Sequence, residues 1–125
     1  MKRAFLLLIP MTIAIAVAPA NSGREMYRTY CASCHGLTGK GDGPVTAALK
    51  TPPTDLTTIA RRNGRRFPTV RVFQSIEGSA TIAAHGSAEM PVWGDVFRQR
   101  SGTDEALVKL RVRNLTSYIE SMQVK

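Results

Sequence analysis

Cys31-Ala32-Ser33-Cys34-His35 is the stretch on which the reading of this 125-residue chain turns. It holds both cysteines of the chain, three positions apart, with a histidine directly after the second. On a helix, residues so spaced lie about one turn apart on one face. Two thiols there can reach the vinyl groups on adjacent pyrrole rings of one porphyrin and form thioethers. C-x-x-C-H is accordingly the attachment pattern of a covalent haem. His35 would offer its imidazole to the iron as one axial ligand.

Two other chemistries use closely spaced cysteines. A redox dithiol of the thioredoxin kind sits in a βαβ context, and no strand pattern precedes Cys31. A structural zinc site needs four ligands, and the remaining histidine is His85 alone.

Upstream of the pentapeptide, Lys2 and Arg3 open the chain and Phe5 to Ala18 runs uncharged for 14 residues. Ala18-Pro19-Ala20 is a small-x-small cleavage site. That order reads as a secretory signal peptide over residues 1–20, cleaved after Ala20. The alternative is an uncleaved N-terminal anchor, against which the run falls short of the roughly 20 residues of a spanning helix. The expected mature domain is residues 21–125, exported and without a transmembrane segment, which in a Gram-negative cell means periplasmic. Loss of Lys2 and Arg3 lowers the formal charge from +8 to +6. A basic domain favours acidic partners or an anionic surface; export argues against nucleic acid. A domain of this size buries a modest core, and only 6% of its residues are aromatic, which leaves room for a non-protein core element.

Ser22 with Glu25 three residues on forms a capping box. Met26, Tyr27, Tyr30, Cys31 and Cys34 then share one helical face, which predicts a first helix with both cysteines on its last turn and Gly36 as its stop. Gly36 to Pro53 reads as loop, broken repeatedly by glycine and proline. Gly39-Lys40-Gly41-Asp42-Gly43 is not a phosphate loop, since no strand precedes it and the full motif is absent. A connection this long belongs around something. Thr54 is expected to cap a short helix from Asp55 to about Arg62, closed by Asn63-Gly64. A second, from Thr69 to Glu77, presents Val70, Phe73 and Ile76 and stops at Gly78. Gly78 to Val92 has no period, and Gly94 to Arg100 can hold one turn of helix. Thr103 caps the last helix, with Asp104 and Glu105 in its first turn. Its stripe is Val108, Val112, Leu115, Ile119 and Met122, with Tyr118 beside it.

Three methionines of the mature chain and one histidine compete for the sixth position on an iron. Met26 shares the cysteines' helix and cannot reach the far face of the porphyrin. Met122 falls on a core stripe, where methionine is ordinary packing. Met90, before Pro91, lies in an irregular stretch able to fold over a haem. His85 would give bis-histidine ligation, although a solvated histidine is the commoner state. Arg61, Arg62, Arg65 and Arg66 form the densest basic run, readable as a solvated loop, as partners of haem propionates or as a docking patch. Trp93 packs in the core or at a haem edge.

Taken together, the pentapeptide near the start, Met90-Pro91 late and the capped final helix make the sequence resemble class I monohaem c-type cytochromes. Gly23, Tyr27, Gly36, Gly43-Pro44 and Tyr118 agree with that family. The resemblance implies an all-α, cytochrome c-like fold of about four to five helices wrapped around one haem c. Gly23, Tyr27 and Tyr118 would lie where the first and last helices cross. It implies covalent attachment through Cys31 and Cys34, with His35 and Met90 as the iron's axial ligands and so as both cofactor and metal ligands. With both axial positions filled, the implied role is one-electron transfer rather than catalysis at the iron. The partners would be redox proteins with an acidic docking surface, met by a monomeric carrier or by a subunit of a periplasmic dehydrogenase or reductase complex. An open, gas-binding haem with labile Met90 is a further reading.

Overall fold

The computed structural model describes residues 22–79, 90–102 and 104–124. Among them there are six helices and no strand: α1 (Gly23–Tyr30), α2 (Ala32–His35), α3 (Ile59–Arg62), α4 (Thr69–Glu77), α5 (Trp93–Ser101) and α6 (Glu105–Ser121). Single 3₁₀ turns at Thr46–Ala48 and Leu56–Thr58 interrupt the long connection between α2 and α3. The fold is all-α, as the resemblance implies.

α1 begins where the capping box places it. The Glu25 N–H donates to Ser22 Oγ at 3.3 Å, and the Ser22 N–H to Glu25 Oε2 at 3.2 Å. Two of the orphan donors of the first turn are thereby satisfied. The helix buries Met26 and Tyr27 against α6. Gly23 makes that approach possible, since a Cβ there would run into the Asn114 carbonyl of α6. One turn on, the Tyr27 and Tyr118 rings meet at 5.3 Å between centroids, tilted by 53°. The first and last helices therefore cross at the three residues named for that role.

α6 supplies the wall onto which α1, α4 and α5 pack. Val108, Val112, Leu115 and Ile119 are buried as its stripe requires, together with Thr116, whose hydroxyl donates to the Val112 carbonyl at 2.8 Å. Met122 lies just beyond the helix, partly buried against the same core. The cap is Asp104, whose carboxylate accepts the Ala106 and Leu107 N–H groups at 3.0 and 3.1 Å. Thr103, expected in that role, lies outside the described residues.

Three other expectations are corrected. α4 has the expected limits, but Val70 is 70% exposed and Val72 takes its place beside Ile76 in the core. The short helix near residue 60 begins as a 3₁₀ turn capped by Asp55, not Thr54; the Asp55 carboxylate accepts the Thr57 N–H at 2.8 Å and its hydroxyl at 2.6 Å. Where one turn was expected, α5 runs nine residues and drives Phe97, 1% exposed, into the core. The C-terminal end ties the α3 region down: Gln123 Nε2 donates to the Leu56 carbonyl at 2.7 Å, and its Oε1 accepts the Ala60 N–H at 2.8 Å.

Candidate functional site

The pentapeptide does not form the last turn of one continuous helix. Cys31 closes α1, its N–H donating to the Tyr27 carbonyl at 2.9 Å, and opens α2. The Cys31 carbonyl then accepts two donors, Cys34 N–H at 3.2 Å and His35 N–H at 2.8 Å. The tight contact three residues on sharpens the turn there and separates the two helices. The expected continuous helix is thus broken at the first cysteine, yet both cysteines still line the same cleft.

α2 has a single turn, so nearly all its carbonyls depend on outside partners. The glycine-rich loop supplies them. The N–H groups of Gly41, Gly43 and Val45 donate to the carbonyls of His35, Cys34 and Ser33 at 2.8, 3.0 and 3.1 Å. The Thr46 hydroxyl lies 3.1 Å from the Cys34 carbonyl. Gly43 must be glycine for this, because a Cβ would strike the Ser33 and Cys34 carbonyls. From the other side, the Tyr27 hydroxyl donates to the Gly36 carbonyl at 2.7 Å. Burial pushes the Tyr27 phenol well above its ordinary range, so it stays a donor. The long loop is therefore the strap that holds Cys34 and His35 in place.

The cleft has a volume of about 520 Å³. Tyr30, Cys31, Cys34 and His35 form its wall from α1 and α2. Leu49 and the Thr51–Thr54 run close one side, and Leu56 and Ile59 extend it. Val72 and Ile76 of α4, Trp93 of α5 and Ile119 of α6 add apolar surface, and Met90 and Pro91 complete the lining. Arg62 and Arg71 also stand on it. The volume is in the range of small-molecule and cofactor sites.

The His35 Nδ1 lies 3.1 Å from the Thr54 carbonyl. A carbonyl can only accept, so Nδ1 carries a proton in this contact, and in the neutral ring that leaves Nε2 as the nitrogen able to ligate a metal. Such a hydrogen bond fixes both tautomer and ring orientation for metal ligation. Cys31 is 9% exposed, and burial pushes its thiol up to about 12, with Cys34 adding a smaller push. A redox dithiol needs a thiolate near neutral pH, and burial here works in the opposite direction.

A haem demands an apolar slot for the macrocycle, two thiols at one edge, a nitrogen donor for iron and cations for its propionates. The cleft carries each of these, so the residues present fit the group. Met90 stands on the same cleft as His35, and Met26, at 2% exposure, is packed in the core. His85 lies outside the described residues. Of the arginine run, Arg62 reaches the cleft; Arg61, Arg65 and Arg66 do not line it. Arg71 was not among the expected residues. It belongs to the α4 set 71, 72, 75 and 76 that faces the cleft. Two of those four are polar, Arg71 and Ser75, so hydrophobic periodicity favours the wrong face.

The all-α fold and a cleft lined by both cysteines and His35 agree with a c-type cytochrome domain, the class of electron carriers that holds haem c covalently. The family model described as cytochrome C oxidase, cbb3-type, subunit III matches residues 18–109, and the chain belongs to that family. No curated protein and no solved structure matches the chain. No helix among the described residues is long and apolar enough to cross a membrane.

Proposed function

We propose that this chain is an exported, periplasmic monohaem cytochrome that passes single electrons between protein partners. The observation that carries the proposal is the convergence of Cys31, Cys34, His35 and Met90 on one cleft. In this reading Cys31 and Cys34 would hold the haem through thioethers, and His35 and Met90 would ligate its iron. The haem supplies a reversible one-electron ferric/ferrous couple. The chain does the rest. The Thr54 carbonyl engages His35 Nδ1, which would leave Nε2 to ligate the iron. Ile59, Val72, Ile76 and Trp93 keep water from its interior. Arg62 and Arg71, on the cleft lining, would meet the propionates as charge-assisted donors. A methionine opposite histidine raises the potential, and a filled sixth position leaves no site for oxygen or substrate. Residues 1–20 act as a cleaved signal peptide, and residues 21–125 form the mature domain.

A visible spectrum of the reduced, denatured protein as a pyridine complex, read with the intact mass, tests this. One haem per chain, still attached after denaturation, on a chain starting at Asn21, is the expected result. A colourless protein with two free thiols would sink it.

The family's description supports a second reading, in which the domain is the fixed electron-transfer subunit of an oxidoreductase complex rather than a freely diffusing monomer. The cleft chemistry is the same in both. Native purification separates them: a stable stoichiometric partner supports the subunit, and a monomeric coloured species supports the carrier.

A further inference from the structure

Residues 54–62 carry Thr54, Leu56, Ile59 and Arg62 of the cleft lining, and the Thr54 carbonyl meets His35 Nδ1 at 3.1 Å. Within this segment Thr57 alone is buried. Apolar burial therefore holds it weakly, and its place in the molecule depends on hydrogen bonds. The Leu56 N–H donates to the Gly39 carbonyl of the glycine-rich loop at 2.7 Å. Further ties come from the chain just beyond α6. Gln123 Nε2 donates to the Leu56 carbonyl at 2.7 Å and to the Ile119 carbonyl at 2.8 Å, and Oε1 accepts the Ala60 N–H at 2.8 Å. The Val124 N–H donates to the Thr57 carbonyl at 2.9 Å. Both donors of the Gln123 amide thus meet carbonyls, and its oxygen meets an N–H. A flipped amide would set N–H against N–H and oxygen against two carbonyls, so the surroundings decide its orientation. Ile119, to which the amide is tethered, is buried in the core and lines the cleft. Gln123 therefore carries the fixed position of α6 across to the segment that meets His35.

We propose that Gln123 is a positioning residue of the redox centre. By tying Leu56 and Ala60 to α6 it keeps the Thr54 carbonyl on His35 Nδ1, and so sets the electron donation of the imidazole to the iron. This role rests on the haem reading above. A hydrogen bond at the outer ring nitrogen raises the basicity of the ligating one, and a more basic ligand favours the ferric state. Slackening residues 54–62 weakens that bond, so the midpoint potential rises.

The test compares the wild-type holoprotein with Gln123→Leu and Asp104→Ala. Gln123→Leu keeps comparable bulk and loses all three bonds of the amide. Asp104→Ala removes the cap at the other end of α6 and touches none of them. Nitrogen-edited NMR of the reduced protein follows exchange of the His35 Nδ1 proton and of the Ala60 amide, and a redox titration gives the midpoint potential. In Gln123→Leu both protons should exchange about tenfold faster, and the potential should rise. Asp104→Ala should melt earlier with His35 exchange and potential as in wild type. An unchanged or lowered potential in Gln123→Leu overturns the proposal, as does a raised potential without faster His35 exchange. An equal shift in Asp104→Ala also overturns it, since loosening α6 anywhere would then suffice. The pyridine spectrum reports the haem separately. A colourless protein overturns the haem reading and this role with it, whereas a coloured protein with any of the contrary outcomes overturns this role alone.

Discussion

Met90 shares its cleft with His35, and replacing it tests the proposed sixth ligand apart from everything else. In Met90→Ala the near-infrared sulfur-to-iron charge-transfer band of the oxidised protein should vanish. The potential should fall, and the reduced protein should bind carbon monoxide at neutral pH. A band that survives the substitution removes Met90 from the iron. Gly23 offers a residue-scale test of packing. Its missing Cβ is what lets α1 rest on the Asn114 carbonyl. Overpacking of this kind costs about 1–3 kcal/mol, so Gly23→Ala should melt earlier with its helix content unchanged at low temperature. An unchanged midpoint in thermal unfolding would mean that α1 can slide along α6 without loss. Tyr27 joins both themes, since one side chain packs on Tyr118 and donates to the Gly36 carbonyl behind the pentapeptide.

The elements differ in how plainly they are written in the chain. α1, α4 and α6 carry strong local signals: a reciprocal capping box, a Pro–Gly bracket and a long apolar stripe. The start of α1, both limits of α4 and the body of α6 follow closely from residues 22–25, 68–78 and 104–119, whereas the end of α1 at Tyr30 does not. α5 carries only Trp93, Val96 and Phe97 among polar neighbours, too short a stripe to declare nine residues of helix. Its length is decided by Phe97 entering the core, which is a tertiary event. On α4, Ile76 and Phe73 meet the core as their pattern predicts, but Val70 does not, because the side that meets the cleft includes Arg71 and Ser75. The pentapeptide states its chemistry by spacing alone, whereas the Thr54 contact to His35 spans 19 residues and no local pattern encodes it. The 3₁₀ turn before α3 gives the element-scale prediction. Hydrogen bonding from the Thr57 hydroxyl holds the Asp55 carboxyl below its usual range, helped by the Thr57 N–H and countered by some desolvation. A depressed folded value means that stability is present above the ordinary carboxylate value of about 3.9 and is lost as pH falls through the folded one. Asp55→Ala should therefore cost about 1 kcal/mol at neutral pH, as lost caps do. In chemical denaturation the gap between the two proteins should close in acid. A gap independent of pH would show that the cap works through shape rather than charge.

At the scale of the whole molecule, charge decides how the domain meets others. Lys and Arg number 17 against 9 Asp and Glu over the full chain. Arg61, Arg62, Arg65, Arg66 and Arg71 are all exposed along α3, the following turn and the start of α4, and two of the five line the cleft. A positive field concentrated beside an electron-transfer site speeds encounter with anions and slows it with cations. Salt screens that field over about 10 Å at 0.1 M. The sign of the salt effect is therefore a sharper test than its size. Reduction of an anionic complex such as hexacyanoferrate(III) by the ferrous protein should slow as ionic strength rises. Reduction of a cationic cobalt complex should quicken, and a neutral oxidant should be indifferent. Arg62→Gln with Arg71→Gln should flatten both slopes if electrons leave through the cleft edge that these two residues border. An unchanged slope in that double variant, with wild-type spectrum and stability, would move the exit to another face of the molecule.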